Sequence, residues 1–165
     1  MLLAKRVPRR YFARIKEKQM PENNDLKLVV LDADDLAIVS AHLQDAVAKV
    51  ADMAYLPDEK RFAMLLNRFD WTTANEPEPI RKRSGFHFER VLAAKMRGID
   101  ISKRDAILNL LAVEFEEAEA PSGAVTLHFS GDGAIRLEVE CLEAALSDLG
   151  PQWPAQKCPS HKVDE

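Results

Sequence analysis

Two stretches of strict alternation lie ten residues apart in the second half of the chain. Val125, Leu127 and Phe129 alternate with Thr126 and His128, and Ile135, Leu137 and Val139 alternate with Arg136 and Glu138. A period of two divides a strand into two faces, and a helix cannot segregate it. The intervening Gly131-Asp132-Gly133 supplies turn chemistry. Residues opposite one another in a ladder must share a face. That parity excludes a two-residue loop and favours Gly131-Asp132-Gly133 as a three-residue loop. Phe129 then faces Ile135, His128 faces Arg136 and Thr126 faces Glu138.

The same logic extends upstream. Leu26–Leu31 reads as a short strand. Asp32 is placed to cap a helix, and Asp34 and Asp35 suit its positive end. Leu36, Val39, Leu43, Ala46 and Val47 recur at helical spacing, which predicts a helix over about 33–46. From Val47 the period returns to two. Met53 and Tyr55, then Phe62, Met64 and Leu66, predict a hairpin of 47–56 with 61–69 around Pro57-Asp58-Glu59-Lys60. Asn75-Glu76-Pro77-Glu78-Pro79 is a loop, because proline removes donors and favours extended backbone. Strands are expected at about 85–95 and 106–115. Leu142, Ala145, Leu146 and Leu149 suggest a short C-terminal helix stopped by Gly150-Pro151.

The expected class is therefore α+β: a mainly antiparallel, six- to seven-stranded curled sheet or barrel with one N-terminal and one C-terminal helix. In element order this resembles the pleckstrin-homology-like arrangement, whose C-terminal helix closes the barrel, although the early helix departs from it. An open α+β sheet with helices on one face is the competing arrangement.

Charge is unevenly spread. Residues 1–20 hold seven basic residues and one acid, a net of +6, whereas the other 145 hold 16 basic and 26 acidic, a net of −10. This predicts a basic, disordered extension over 1–25, one globular domain over 26–150 and a loose tail over 151–165. Val7, Tyr11 and Ile15 would also allow a short basic amphipathic helix in the extension. Met20, followed by Pro-Glu-Asn-Asn-Asp, is a candidate native start. No run of about 18 apolar residues suggests a transmembrane segment. With no secretory pattern, a cytoplasmic location and free thiols at Cys141 and Cys158 are expected.

No recognised catalytic or metal motif is present, and no cofactor is expected. Cys158 and His161 have the spacing of half a zinc site, but four ligands are needed. Asp32, Asp34 and Asp35 are explained by helix capping. His87 and His128 are expected to point outward, and a site pairing either with a distant carboxylate stays open. The residual signal is a basic stretch, Arg81-Lys82-Arg83 with Arg90, Lys95 and Arg97, carrying Phe86 and Phe88. Basic residues beside aromatics suit phosphate or single-stranded nucleic acid, yet these two phenylalanines share the inward parity of Leu92. Trp71 and Trp153 lie in predicted loops, where either could anchor a partner.

Five segments look familiar together: Leu31-Asp32-Ala33-Asp34-Asp35-Leu36, Ser40-Ala41-His42-Leu43-Gln44-Asp45-Ala46, Asp52-Met53-Ala54-Tyr55-Leu56-Pro57, Leu66-Asn67-Arg68-Phe69-Asp70-Trp71, and Ala134-Ile135-Arg136-Leu137-Glu138-Val139-Glu140-Cys141. Over about Leu26 to Trp153 the chain resembles a family of small alphaproteobacterial proteins classed as domain of unknown function 2948. That resemblance implies a bacterial protein whose domain starts near Leu26, and it carries no activity or site residues.

The sequence reading is a non-enzymatic binding or protein-interaction module with an unidentified protein partner. Its expected surface carries Trp71, Arg81, Arg83 and Arg90. Nucleic-acid or phospholigand binding through residues 81–97 is the alternative, and an enzyme with a site not recognisable in sequence is the third.

Overall fold

The computed structural model describes residues 25–156 and Pro159. Ten strands and one α-helix follow in the order β1 (Lys27–Val30), α1 (Ala33–Leu43), β2 (Ala46–Lys49), β3 (Met53–Leu56), β4 (Arg61–Phe69), β5 (Ile80–Phe88), β6 (Val91–Arg97), β7 (Ile107–Glu117), β8 (Gly123–Phe129), β9 (Ala134–Val139) and β10 (Ala144–Pro154). They form one antiparallel sheet ordered β1-β10-β5-β4-β2-β7-β8-β9-β6, with β3 paired to β4. The sheet curls but keeps free edges at β1 and β6, so it is not a closed barrel. No helix among the described residues is long and apolar enough to cross a membrane.

Helix α1 begins where Asp32 accepts the Asp35 N–H at 2.8 Å, as its capping chemistry requires. It ends at Leu43 rather than near 46, because Asp45 turns into the left-handed region at φ 64° and Ala46 joins β2. Leu36, Val39 and Leu43 pack into one core with Phe62, Met64, Leu66, Phe86, Phe88 and Leu146. Each such side chain contributes about 1.5–3 kcal/mol through burial. The short β2 leaves the edge of β7 uncovered beyond Leu110. There the helix takes over: Ser40 Oγ accepts the Val113 N–H at 2.9 Å, and the Leu110 carbonyl accepts from Asp45 N at 2.8 Å.

Three expectations are corrected. The sheet has ten strands, not six or seven. Residues 80–97 form two strands turning at Arg90 (φ 60°), and they pair with different neighbours: β5 with β4 and β10, β6 with β9. A 3-10 turn at Val50–Asp52 also divides the expected 47–56 strand into β2 and β3. Second, the expected C-terminal helix is β10, and with it the pleckstrin-homology-like closure is lost. Leu142, Ala145, Leu146 and Leu149 are too short a run to separate the two periods. The backbone decides, because β10 lies between β1 and β5 and supplies ladder bonds to both. A helix there would leave two strand edges unpaired. Gly150 (φ 109°) and Pro151 form a bulge between Asp148 and Gln152 instead of a helix stop.

The third correction is one of register. In the β8–β9 hairpin Leu127 faces Ile135, Thr126 faces Arg136 and His128 faces Ala134. Phe129 N–H donates to the Gly133 carbonyl at 2.8 Å, which leaves Ser130-Gly131-Asp132 as the three-residue connection. The shift is two residues, so every side chain keeps its expected face. Gly131 (φ 74°) and Asp132 (φ 62°) supply the left-handed positions. The basic N-terminal segment, Met20, Cys158 and His161 lie outside the described residues.

Candidate functional site

Strands β4, β5 and β10 carry the apolar core on one face, and at one end that face becomes ionic. Met64, Phe86 and Leu146 share a cross-strand row, and the next row is Leu66, Ser84 and Asp148. Beyond it Arg68 faces Lys82. Arg68, Lys82, Ser84 and Asp148 are all buried, at 0–1% exposure. Such charges are almost never fully buried unless paired, and here they are. Arg68 grips Asp148 through both edges of its fork, Nε to Oδ1 at 2.8 Å and Nη2 to Oδ2 at 2.7 Å. Ser84 Oγ donates to Asp148 Oδ1 at 2.6 Å, and Leu26 N–H to Oδ2 at 2.7 Å. Lys82 Nζ lies 3.3 Å from Asp25 and 3.7 Å from Asp70.

Asp70 links this interior to the opposite face. Its carboxylate accepts the Thr72 N–H at 3.1 Å and the Thr72 hydroxyl at 2.6 Å, and its carbonyl accepts the Thr73 hydroxyl at 2.7 Å. That caps the 3-10 turn Trp71–Thr73, which presents Trp71. The Trp71 indole N–H donates to the Gln44 carbonyl at 3.3 Å, and its ring meets Phe69 edge-on with centroids 4.8 Å apart. Phe69 faces Arg81 across β4–β5, and Arg81 faces Trp153 across β5–β10. On this outer face Arg81 and Trp153 are half-buried with Trp71 at their edge, and Phe69 is fully buried against Arg81 and Trp71; the ionic interior of the same strands lies behind. The Arg81 guanidinium lies 5.9 Å over the Phe69 ring.

Of the four expected surface residues, the fold brings together Trp71, Arg81 and Arg83. Arg83 is engaged by Asn67 Oδ1 at 3.1 Å and Asp52 at 3.5 Å. Arg90 stands apart at the β5–β6 turn, loosely paired with Glu143 at 3.4 Å and Glu140 at 3.9 Å. Phe88, where β5 ends, is already roughly 16 Å beyond Arg83 at the rise of a strand. The basic stretch 81–97 is thus dispersed: Lys82 points into the core, Lys95 pairs with Glu138 on the β6–β9 ladder, and Phe86 and Phe88 are buried.

Both outward histidines meet a glutamate. His128 Nε2 lies 3.2 Å from Glu114 on the exposed β7–β8 face. His87 Nε2 lies 3.5 Å from Glu89, in a cleft of about 410 Å³ shared with Lys60, Arg61 and Arg90. Arg61 already holds Glu89 at 2.7 Å. A histidine acting as base turns one nitrogen to its carboxylate and the other to the substrate. The other nitrogen of His87, Nδ1, is enclosed by protein.

A family model described as "Protein of unknown function (DUF2948)" matches residues 26–161. The chain belongs to the DUF2948 family. No curated protein and no solved structure matches it. The match covers most of the chain and bears out the resemblance carried by the five segments. Within this DUF2948 domain the matched span contains Arg68, Asp70, Lys82, Asp148, Trp71, Arg81 and Trp153.

Sequence reasoning singled out Trp71 and Arg81 and noted Trp153 as a possible anchor, but it did not group them and missed Phe69 and the ionic interior. A signal for part of it was present: Arg68 continues the inward parity of Phe62, Met64 and Leu66, and Lys82 that of Phe86 and Phe88. Asp148 carried no such signal while its segment read as helix.

The interior predicts an acid-sensitive fold. Burial alone would raise the Asp148 pKa, but the Arg68 hydrogen bonds and charge, the Ser84 hydroxyl and the Leu26 N–H together hold it below the ordinary aspartate value. A depressed carboxylate contributes stability that is present above about 3.9 and is lost as pH falls through the folded value. His42 is lowered by burial and by Arg68, against the opposing pull of Asp148 and Asp70. Its neutral form is favoured in the fold, so this contribution begins to fall as pH drops below about 6.5. Urea midpoints measured across pH are expected to decline in two stages. His42→Gln flattens the upper stage and Asp148→Asn the lower.

Proposed function

We propose that this DUF2948 domain is a protein-interaction module whose contact surface is the outer face at the Trp71–Arg81–Trp153 end of the sheet. The observation that carries this reading is the grouping itself: Arg81 and Trp153 on the adjacent strands β5 and β10, with Trp71 on the turn that follows β4, backed by the buried Arg68–Asp148 pair. Tryptophan and arginine dominate the energetic centres of protein interfaces, because each offers large area with a polar handle. Asp70 couples the two layers by capping the Trp71 turn while facing Lys82, so the surface is preformed and little ordering is needed on binding.

The test is comparative capture with the full tagged chain from cells that express it, after nuclease treatment. A stoichiometric protein retained by the native chain is expected to drop about tenfold or more with Trp71→Ala or Arg81→Glu, the scale of an interface centre. Arg97→Glu on β6 is expected to leave it unchanged. Equal recovery by all variants, or recovery of nucleic acid alone before nuclease, overturns the reading.

A further inference from the structure

Four cations occupy the last three rows of the β4–β5 ladder, and their partners differ. Arg68 has Asp148, Lys82 has Asp25 and Asp70, and Arg83 has Asp52. Arg81 forms no ion pair among the described residues. Its guanidinium makes two long hydrogen bonds, both from Nη1 and both to backbone carbonyls, Asn67 at 3.3 Å and Asp45 at 3.5 Å. The Nε/Nη2 edge makes no hydrogen bond among the described residues. It is the same edge with which Arg68 grips the Asp148 carboxylate a short distance away on the other face. Partial burial lowers the Arg81 pKa, and the nearby Asp45 offsets this only in part. A half-buried cation whose burial is only partly offset is costly, and a fork of this kind matches a carboxylate with two parallel bonds.

We propose that Arg81 receives a carboxylate side chain from the bound partner, so that the surface recognises an acidic peptide segment, with Trp71 and Trp153 packing against the residues on either side of it. This rests on the interaction reading above. A carboxylate fits better than a phosphate chain, because polyanions are held by a track of separate cations, whereas here Lys82 faces inward and Arg83 is already paired.

Both tryptophans of the protein belong to this surface, so selectively excited tryptophan emission reports on it. The full chain is titrated with an acetylated, amidated hexapeptide of alternating alanine and glutamate, with its glutamine counterpart, with inorganic phosphate and with oligothymidylate. The expected result is a saturable emission change with the glutamate peptide and roughly tenfold weaker binding of the glutamine peptide, the loss of one charge-assisted pair. Arg81→Gln is expected to abolish that difference, Arg81→Lys to restore part of it, and Arg83→Gln to keep it. Near-native emission spectra of the variants before titration show that each is folded. Equal binding of the two peptides, an unaltered preference in Arg81→Gln, or stronger binding of phosphate or oligothymidylate overturns the proposal. Failure here with partner capture still sensitive to Trp71→Ala sinks only the carboxylate assignment. Failure of both sinks the surface.

Discussion

Replacing Asp148 with alanine is expected to destabilise the fold by about 3–5 kcal/mol, because it strands the Arg68 guanidinium in a site that is 1% exposed. The same substitution releases the Ser84 hydroxyl and the Leu26 N–H from their acceptor. Leu26 also accepts the Asp148 N–H through its carbonyl at 2.9 Å, so the start of β1 loses one of two anchors. The loss is a property of the half-pair, not of the pair. Two desolvated charges attract strongly but have given up hydration, and a well-packed apolar pair of similar volume is often no less stable. Arg68→Met with Asp148→Leu is therefore expected to recover most of what Asp148→Ala removes. Urea denaturation at neutral pH, with unchanged dependence on denaturant, measures both. If the double variant is as weak as the single one, the pair is a net source of stability. If it is stable but has lost Trp71-dependent partner capture, the pair fixes the register of strands that carry the surface. The second outcome is the one the architecture favours, since Arg68 and Asp148 sit on β4 and β10, with β5 and its Arg81 between them.

What could be read from the sequence follows the reach of local rules. Asp32 as a cap, the start of α1, the inward set Phe62, Met64 and Leu66, and the faces of β8 and β9 all depend on neighbours within a turn or a ladder rung. These were legible. The β8–β9 register was not, because alternation fixes only the face, and a shift of two residues preserves it. The division of residues 80–97 into two strands hinged on Arg90 adopting φ 60°, a conformation that a non-glycine residue takes only when its surroundings compel it. Here the Val91 N–H donates to the Lys60 carbonyl at 2.8 Å and the Glu140 N–H to the Arg90 carbonyl at 2.9 Å. Neither long-range bond has a local signature. At the candidate site the residue types were legible and their grouping was not. Trp71 and Arg81 are ten positions apart, and Trp153 meets them only through the β10 ladder.

Leu146→Ala is expected to cost about 2–5 kcal/mol, whereas Leu149→Ala costs clearly less, and this contrast tests the architecture at its least local point. Were residues 142–149 a helix, Leu142, Ala145, Leu146 and Leu149 would share one buried stripe, and the two leucines would be equivalent. In β10 the inward set is Ala144, Leu146 and Asp148. Leu146 is fully enclosed, opposite Leu28 of β1 and Phe86 of β5, while Leu149 is half-buried on the approach to the bulge. Truncating an enclosed leucine forfeits transfer energy and leaves a cavity that its neighbours fill only partly. Denaturation midpoints of the two variants therefore separate the alternatives without any structure determination. Equal losses would restore the helix and would also detach Asp148 from Arg68 and Trp153 from Arg81. The interaction surface and its ionic backing depend on the same strand, so a single pair of stability measurements bears on both.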